Sequence, residues 1–267
     1  MRHSLKMTLY NSLNLFFYYL TGRYYKNLNL IKKLKDKHKG QRCFIICNGP
    51  SLSANDLTKI HEHGDISIGI NLIGRIYKNT PWRATYLSLT DDIIFASKEN
   101  KMISEQSHGE IKFYHNKRFF KSLKSQGEKL YLSFDESYQL LDNPKFDSNI
   151  THSIPSIGTS AYACIELAVY LGCNEIYIIG CDLSYKVNLN RDGTVTFNDD
   201  GKDHFYKNEE EAIASCKTKP YPTWQMQVAF DAAAKFSIEQ GYIIRNATRG
   251  GKLESFPRVD FDSLFND

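Results

Sequence analysis

The sequence lacks the signatures that would settle its chemistry at once. It contains no GxGxxG and no GxxxxGK[ST], which excludes a standard dinucleotide fingerprint and a Walker loop. Its six cysteines form no CxxC pair and sit mostly inside apolar runs. They read as small core hydrophobes of a reducing, cytoplasmic compartment, with neither a disulfide framework nor a zinc site. No apolar run is long enough to span a bilayer. No internal repeat and no long low-complexity tract is present. The net charge of +4 over 267 residues is too small to point to nucleic acid.

What is present is a chain of ordinary globular composition, with 42% hydrophobic and 24% charged residues. Charge is unevenly spread. Between Met1 and Gly40, nine basic residues oppose the single acid Asp36, giving +8 there and leaving −4 for the rest. Leu9, Leu13, Phe16, Phe17 and Leu20 recur in this segment at helical spacing, with tyrosines nearby. A basic amphipathic segment over residues 1–40 is therefore expected. It suits an anionic membrane surface, and it also offers a surface for packing or homo-oligomer formation. No small-residue cleavage site follows it, so it does not read as a secretory leader. Lys32 to Lys39 reads as a solvated basic linker.

Residues 41–267 read as a single α/β domain. Cys43 to Cys47 is an unbroken apolar run that fits a strand buried on both faces. Asn48, Gly49, Pro50 and Ser51 follow, then a helical pattern through Leu52, Leu57 and Ile60. A strand tip that turns into a helix start is where open α/β sheets bind ligands, and it favours an anion. In this reading Gly49 admits a close backbone approach, Pro50 fixes φ and Ser51 caps the helix. An ordinary capped turn would use the same residues.

Further strands are expected at Ile66 to Ile70, ending at Asn71, at Ala84 to Leu89, and at Ile111 to Tyr114. Lys117 to Ser148 gives only weak signals. Gly158, Thr159 and Ser160 form a small-residue turn before a helix at Ala161 to Leu171, with Ala163, Leu167 and Leu171 on one face, which Gly172 stops. The strand Glu175 to Ile179 then leads to Asp182 at its tip. Residues from about 186 to 222, rich in Asp-Gly turn signals, read as a lid that carries His204. A last helix spans Trp224 to Glu239, with Val228, Ala232 and Phe236 inward, and a last strand covers Tyr242 to Arg245. Asp91-Asp92 and Asp199-Asp200 read as turn or solvated residues. Asn246-Ala247-Thr248 matches a glycosylation sequon, which is irrelevant in a cytoplasmic protein.

Three separated pieces carry a resemblance: ICNGPSL (46–52), GTSAYACIELAVYLGCNEIYIIGCDLSY (158–185) and the closing IRNATRGGKLESFPRVDFDSLF. The set resembles bacterial sialyltransferases of glycosyltransferase family 42 and the related MptE-like domain of unknown function 115. That resemblance implies a Rossmann-like, mostly parallel sheet of the GT-A-variant type and a glycosyltransferase acting on a bacterial surface glycan, such as lipopolysaccharide. It implies a CMP-activated nonulosonic sugar as donor, a lipid-linked or core oligosaccharide as acceptor, and no metal or other cofactor. Asn48, Gly49, Pro50, Ser51 and Asn71 would lie at the nucleotide. Thr159 and Ser160 would hold the phosphate and the sugar-acid carboxylate, with Asp182 and Tyr185 close by. The chain departs from the pattern at Ala161, where the sialyltransferases carry Gly, and in having no His at Tyr221 to Thr223. His204 is then the expected base, and a neutral imidazole suits that role. The resemblance also leaves open a hydroxymethylpterin pyrophosphokinase using ATP and magnesium, or a non-catalytic binding subunit. The place implied is the cytoplasm, peripheral on the inner face of the inner membrane.

Overall fold

The computed structural model describes residues 12–13, 16–117, 124, 127–135, 144–198, 202–206 and 220–266. Seven strands form its main sheet, in the spatial order β11-β8-β1-β2-β3-β4-β5, and every pair is parallel. They are β1 (Arg42–Ile46), β2 (Ile66–Ile70), β3 (Tyr86–Leu89), β4 (Ile111–His115), β5 (Glu128–Leu132), β8 (Glu175–Ile179) and β11 (Ile243–Asn246). α1 (Arg23–Lys32) precedes them, and α2 (Ala54–His63), α3 (Lys98–Gln106), α4 (Ser160–Tyr170) and α5 (Thr223–Gln240) run between them. The short pairs β6–β7 (Phe134–Asp135, Ile154–Pro155) and β9–β10 (Val187–Leu189, Val195–Phe197) stand outside the main sheet. A doubly wound α/β fold results, as the alternating strand and helix patterns require.

The sheet runs outward in two directions from its middle. β1 to β5 follow one another toward one edge, while β8 and β11 are added on the other side of β1. The order therefore reverses between β1 and β8, and a crevice opens above their carboxyl ends. Helices cover both faces. Leu57 and Ile60 of α2 pack in the cluster with Phe44, Ile46 and Ile179. Residues of α4 and α5 pack with Cys43, Ile45 and Ile178 on the opposite side.

Most expected elements form close to where they were read, with several differences. The edge strand β5 was missed, because EKLYL is short and its first two residues are not buried. The inward stripe of α5 is Gln225, Met226, Ala229, Phe230, Ala233 and Ser237, displaced from the expected Val228, Ala232 and Phe236. α4 has no single apolar face, since all of Ala161 to Tyr170 is buried. Lys32 to Lys39 is not a free linker. The backbone N–H groups of Asp36 and His38 donate to Tyr170 and Leu171, and His38 Nε2 lies 2.7 Å from the Tyr86 hydroxyl.

Residues 16–20 are helical, and Phe16, Phe17, Tyr19, Leu20 and Tyr25 are exposed while Tyr18 is buried. Leu9 lies outside the described residues. Asn27 clamps the open edge of β5, its amide donating to the Tyr131 carbonyl at 2.9 Å and accepting from the Tyr131 N–H at 2.7 Å. That contact removes the edge from further strand pairing. Among the described residues no helix is long and apolar enough to cross a membrane. The sequon is built into the interior: Asn246 donates to the Leu253 carbonyl at 2.7 Å and accepts from the Thr248 N–H at 2.9 Å.

Candidate functional site

The crevice between β1 and β8 widens into a cleft of about 1080 Å³ above the sheet's carboxyl edge. Strand tips and helix starts supply its lining, and most expected site residues meet there. Asn48, Gly49, Asn71, Thr159, Ser160, Asp182, Tyr185 and His204 all line it. Pro50 and Ser51 are not part of its lining.

The turn after β1 is held by the loop after β8. The Gly49 N–H donates to the Gly180 carbonyl at 2.8 Å. The Ser51 hydroxyl donates to Asp182 Oδ2 at 2.8 Å, and the Ser51 N–H reaches the same oxygen at 3.3 Å. Any Cβ at position 49 would drive into the Asp182 carboxylate and the Gly180 carbonyl, so only glycine fits. Ser51 was expected to cap α2; Ser53 does so instead, accepting from the Asp56 N–H at 3.1 Å. Burial pushes the Asp182 carboxyl above its ordinary value, opposed by its hydrogen bonds from Ser51.

The closing glycines brace this loop from behind. The Lys252 N–H donates to the Asp182 carbonyl at 2.7 Å, and Gly251, at φ 73°, has its Cβ position 2.8 Å from the Asp182 Cα. The Cys181 N–H donates to the Thr248 hydroxyl at 3.2 Å. The carboxyl-terminal piece thus positions Asp182.

Asn48 donates from Nδ2 to the Ile70 carbonyl at 2.9 Å, which fixes its amide orientation. Its Oδ1 is buried and has no partner among the described residues, so it remains an acceptor at the cleft. Asn71 takes the left-handed conformation at φ 49°, its Nδ2 lying 3.4 Å from Ser160 Oγ and its Oδ1 accepting from the Asp91 N–H at 3.3 Å. Thr90 also donates to Ser160 Oγ, at 3.3 Å. Ser160 thus joins the tips of β2 and β3 to the start of α4. Thr159 is the N-cap of α4, its hydroxyl accepting from the Ala161 N–H at 3.2 Å. Ala161 lines the cleft.

His204 is docked by its neighbours. Its ring stacks on Tyr206 at 4.9 Å, and the Arg75 guanidinium lies 4.8 Å from the centre of that same Tyr206 ring. Glu99 and Asn100 hold Arg75 at 2.9 and 2.7 Å. Between His204 and Tyr206, the Phe205 N–H donates to the Asn48 carbonyl at 2.9 Å, which ties the segment to the β1 turn. The window Tyr221 to Thr223 borders the same cleft through Tyr221 and Pro222. Tyr221 stacks on Tyr185 at 4.0 Å and 17°, and burial pushes the Tyr185 hydroxyl well above its ordinary value.

Sequence reasoning missed His115, Lys117, Trp224 and Gln225, which also line the cleft. His115 lies at the tip of β4, where the same strand-tip rule would have found it. Burial holds its imidazole down at about 4, and the Lys117 N–H donates to its Nδ1 at 3.2 Å. Asp91 caps a 3₁₀ turn through Ile93 and, with Asp92, reaches the cleft. Asp199 and Asp200 lie outside the described residues. Among the described residues no three His, Cys, Asp or Glu side chains converge as metal ligands.

No family model matches the chain, and no curated protein matches it. Solved structures do. The fold is similar to that of a MAf glycosyltransferase from Magnetospirillum magneticum AMB-1, with a TM-score of 0.52 at 14% identity over 90% of this chain. The chain spans 39% of that protein's length. It is also similar to the sialyltransferase CstII from Campylobacter jejuni, solved with the substrate analogue cytidine-5'-monophosphate. That likeness has a TM-score of 0.49 at 13% identity and covers 83% of this chain and 85% of the other. At 14% identity the likeness is one of fold: a parallel α/β sheet shared with the MAf glycosyltransferase.

Proposed function

We propose that this chain is a glycosyltransferase that moves a nonulosonic sugar from a CMP-activated donor to a bacterial surface glycan. The observation that carries the reading is the meeting of the β1 turn, the β8 loop and the α4 start at one switch-point cleft. Such a cleft suits a nucleotide, with the phosphate drawn to a helix start. In this account Asn48 Oδ1 accepts a hydrogen bond from the donor, and Gly49 lets it approach the backbone. Ser160, Asn71 and the first N–H groups of α4 hold the phosphate and the sugar carboxylate.

The reaction is a displacement at the anomeric carbon. An acceptor hydroxyl forms the new C–O bond while the bond from that carbon to the phosphate oxygen breaks, and its electron pair leaves with CMP. His204 takes the hydroxyl proton, and the α4 start stabilises the departing phosphate. No metal is assigned a role. The basic segment 1–40, with its exposed Phe16, Phe17 and Leu20, would rest on the anionic inner leaflet, where a lipid-linked or core oligosaccharide is presented.

The test is CMP release from CMP-sialic, CMP-legionaminic and CMP-pseudaminic acids, with lipooligosaccharide as acceptor and with EDTA present. The account expects release in EDTA and a loss of about a hundredfold or more in His204→Ala. Turnover within about threefold of wild type in that variant removes His204 as base. Activity that instead requires ATP and magnesium would favour the pyrophosphokinase reading.

A further inference from the structure

The cleft has a second built patch, on the wall formed by α5. Trp224 and Gln225 lie in the first turn of that helix and line the cleft. Gln225 is only 8% exposed, and it lines the cavity. The Trp224 indole N–H is buried and lacks a partner among the described residues. Native interiors leave few polar atoms in this condition, and each one calls for an explanation. An orphaned N–H beside a largely buried amide, both on one cavity wall, indicates a ligand that completes them.

The surroundings narrow its chemistry. The stacked Tyr185–Tyr221 pair lines the same cleft, and the Arg191 guanidinium lies 5.8 Å from the Trp224 ring centre. Tyr221 is tied into the β9 ladder, its N–H donating to Val187 at 3.0 Å and its carbonyl accepting from Leu189 at 2.8 Å. A Cβ at Gly158 would stand 3.3 Å from Pro222 Cγ, so the patch directly borders the start of α4. Flat aromatic surface beside the Gln225 amide and an unpaired Trp224 N–H matches a pyranose ring. Its C–H face packs on rings, and its hydroxyls both donate to the Gln225 oxygen and accept from the two N–H groups. A phosphate or carboxylate accepts only, and would leave the Gln225 oxygen unpaired.

α5 packs with α4 on one face of the sheet, so the patch stands next to the α4 start, to which the phosphate is assigned, and is made of other residues. We propose that Trp224 and Gln225 form the acceptor subsite of this cleft, which holds a neutral pyranose beside the nucleotide-sugar site. This inference rests on the glycosyltransferase reading.

The test is saturation-transfer NMR on the full chain with methyl β-galactoside, methyl β-glucoside and methyl α-mannoside, each with and without CMP. At least one glycoside should receive saturation from the wild-type protein. Gln225→Leu and the conservative Trp224→Phe should each weaken that signal by about fivefold, the cost of one lost hydrogen bond. The CMP signal should persist in both variants, which also reports that they fold. Glycoside signals equal in wild type and variants overturn the assignment, as does the absence of any glycoside signal while CMP binds. Displacement of the glycoside by inorganic phosphate would make the patch an anion site and overturn it too. Failure of CMP itself to bind would instead strike the proposed function, and the glycoside arm is read without it.

Discussion

At the residue scale, the site depends on a few contacts that no side chain can replace. Gly49 lies against the Asp182 carboxylate, so Gly49→Ala should cost about 1–3 kcal/mol in urea unfolding, the usual range for overpacking. Ser51 and Ser53 give a sharper contrast. Ser53→Ala removes the α2 cap and should cost about 1 kcal/mol with nucleotide binding unchanged. Ser51→Ala should weaken nucleotide binding through Asp182 and leave α2 intact. Calorimetric titration of both variants decides this. Asn48, Gly49 and Asp182 could be picked out in the sequence because each stands at a strand tip. The exchange between Ser51 and Ser53 could not, since both are near the helix start and the Asp182 partner is 131 positions away.

At the scale of the element, α4 carries an unusual interior group. Glu166 is fully buried, with one oxygen accepting from the Asp147 N–H at 3.1 Å and the other without a partner among the described residues. Burial raises its carboxyl well above the ordinary 4.5. The folded state therefore keeps a proton that the unfolded chain has lost, and stability falls as pH rises from about 4.5 through the raised value. Glu166→Gln should flatten that slope in urea unfolding measured between pH 5 and 8. A slope as steep as wild type would mean that another group sets it. α4 was located by its glycine stop and by a stripe of Ala163, Leu167 and Leu171, but that stripe does not mark an inward face, because the helix is buried all round. The inward face of α5 was misread for a related reason. Its alanines lie on several sides and give no clear periodicity, so packing against α4 decides the face, and polar Gln225 turns inward to the cleft.

At the scale of the whole molecule, the strand order makes the site. Apolar runs and turn residues revealed most of the strands, but not that β8 lies beside β1 rather than beyond β5. That adjacency sets the switch point, and it arises from long-range pairing that leaves no local trace. The amino-terminal segment belongs to this scale as well. Its exposed aromatic residues and basic charge predict cosedimentation with phosphatidylglycerol-containing vesicles, reversed by salt. Binding equal on neutral phosphatidylcholine vesicles would contradict the electrostatic part. The central claim is that the switch-point cleft receives a cytidine nucleotide. Thermal unfolding with CMP, CDP, UDP, GDP and ATP, each with and without magnesium, tests it most directly. CMP at a hundredfold over its Kd should stabilise by about 2.7 kcal/mol without magnesium, and Asn48→Ala with Ser160→Ala should remove the gain. No response to CMP, or a response only to ATP with magnesium, would contradict it.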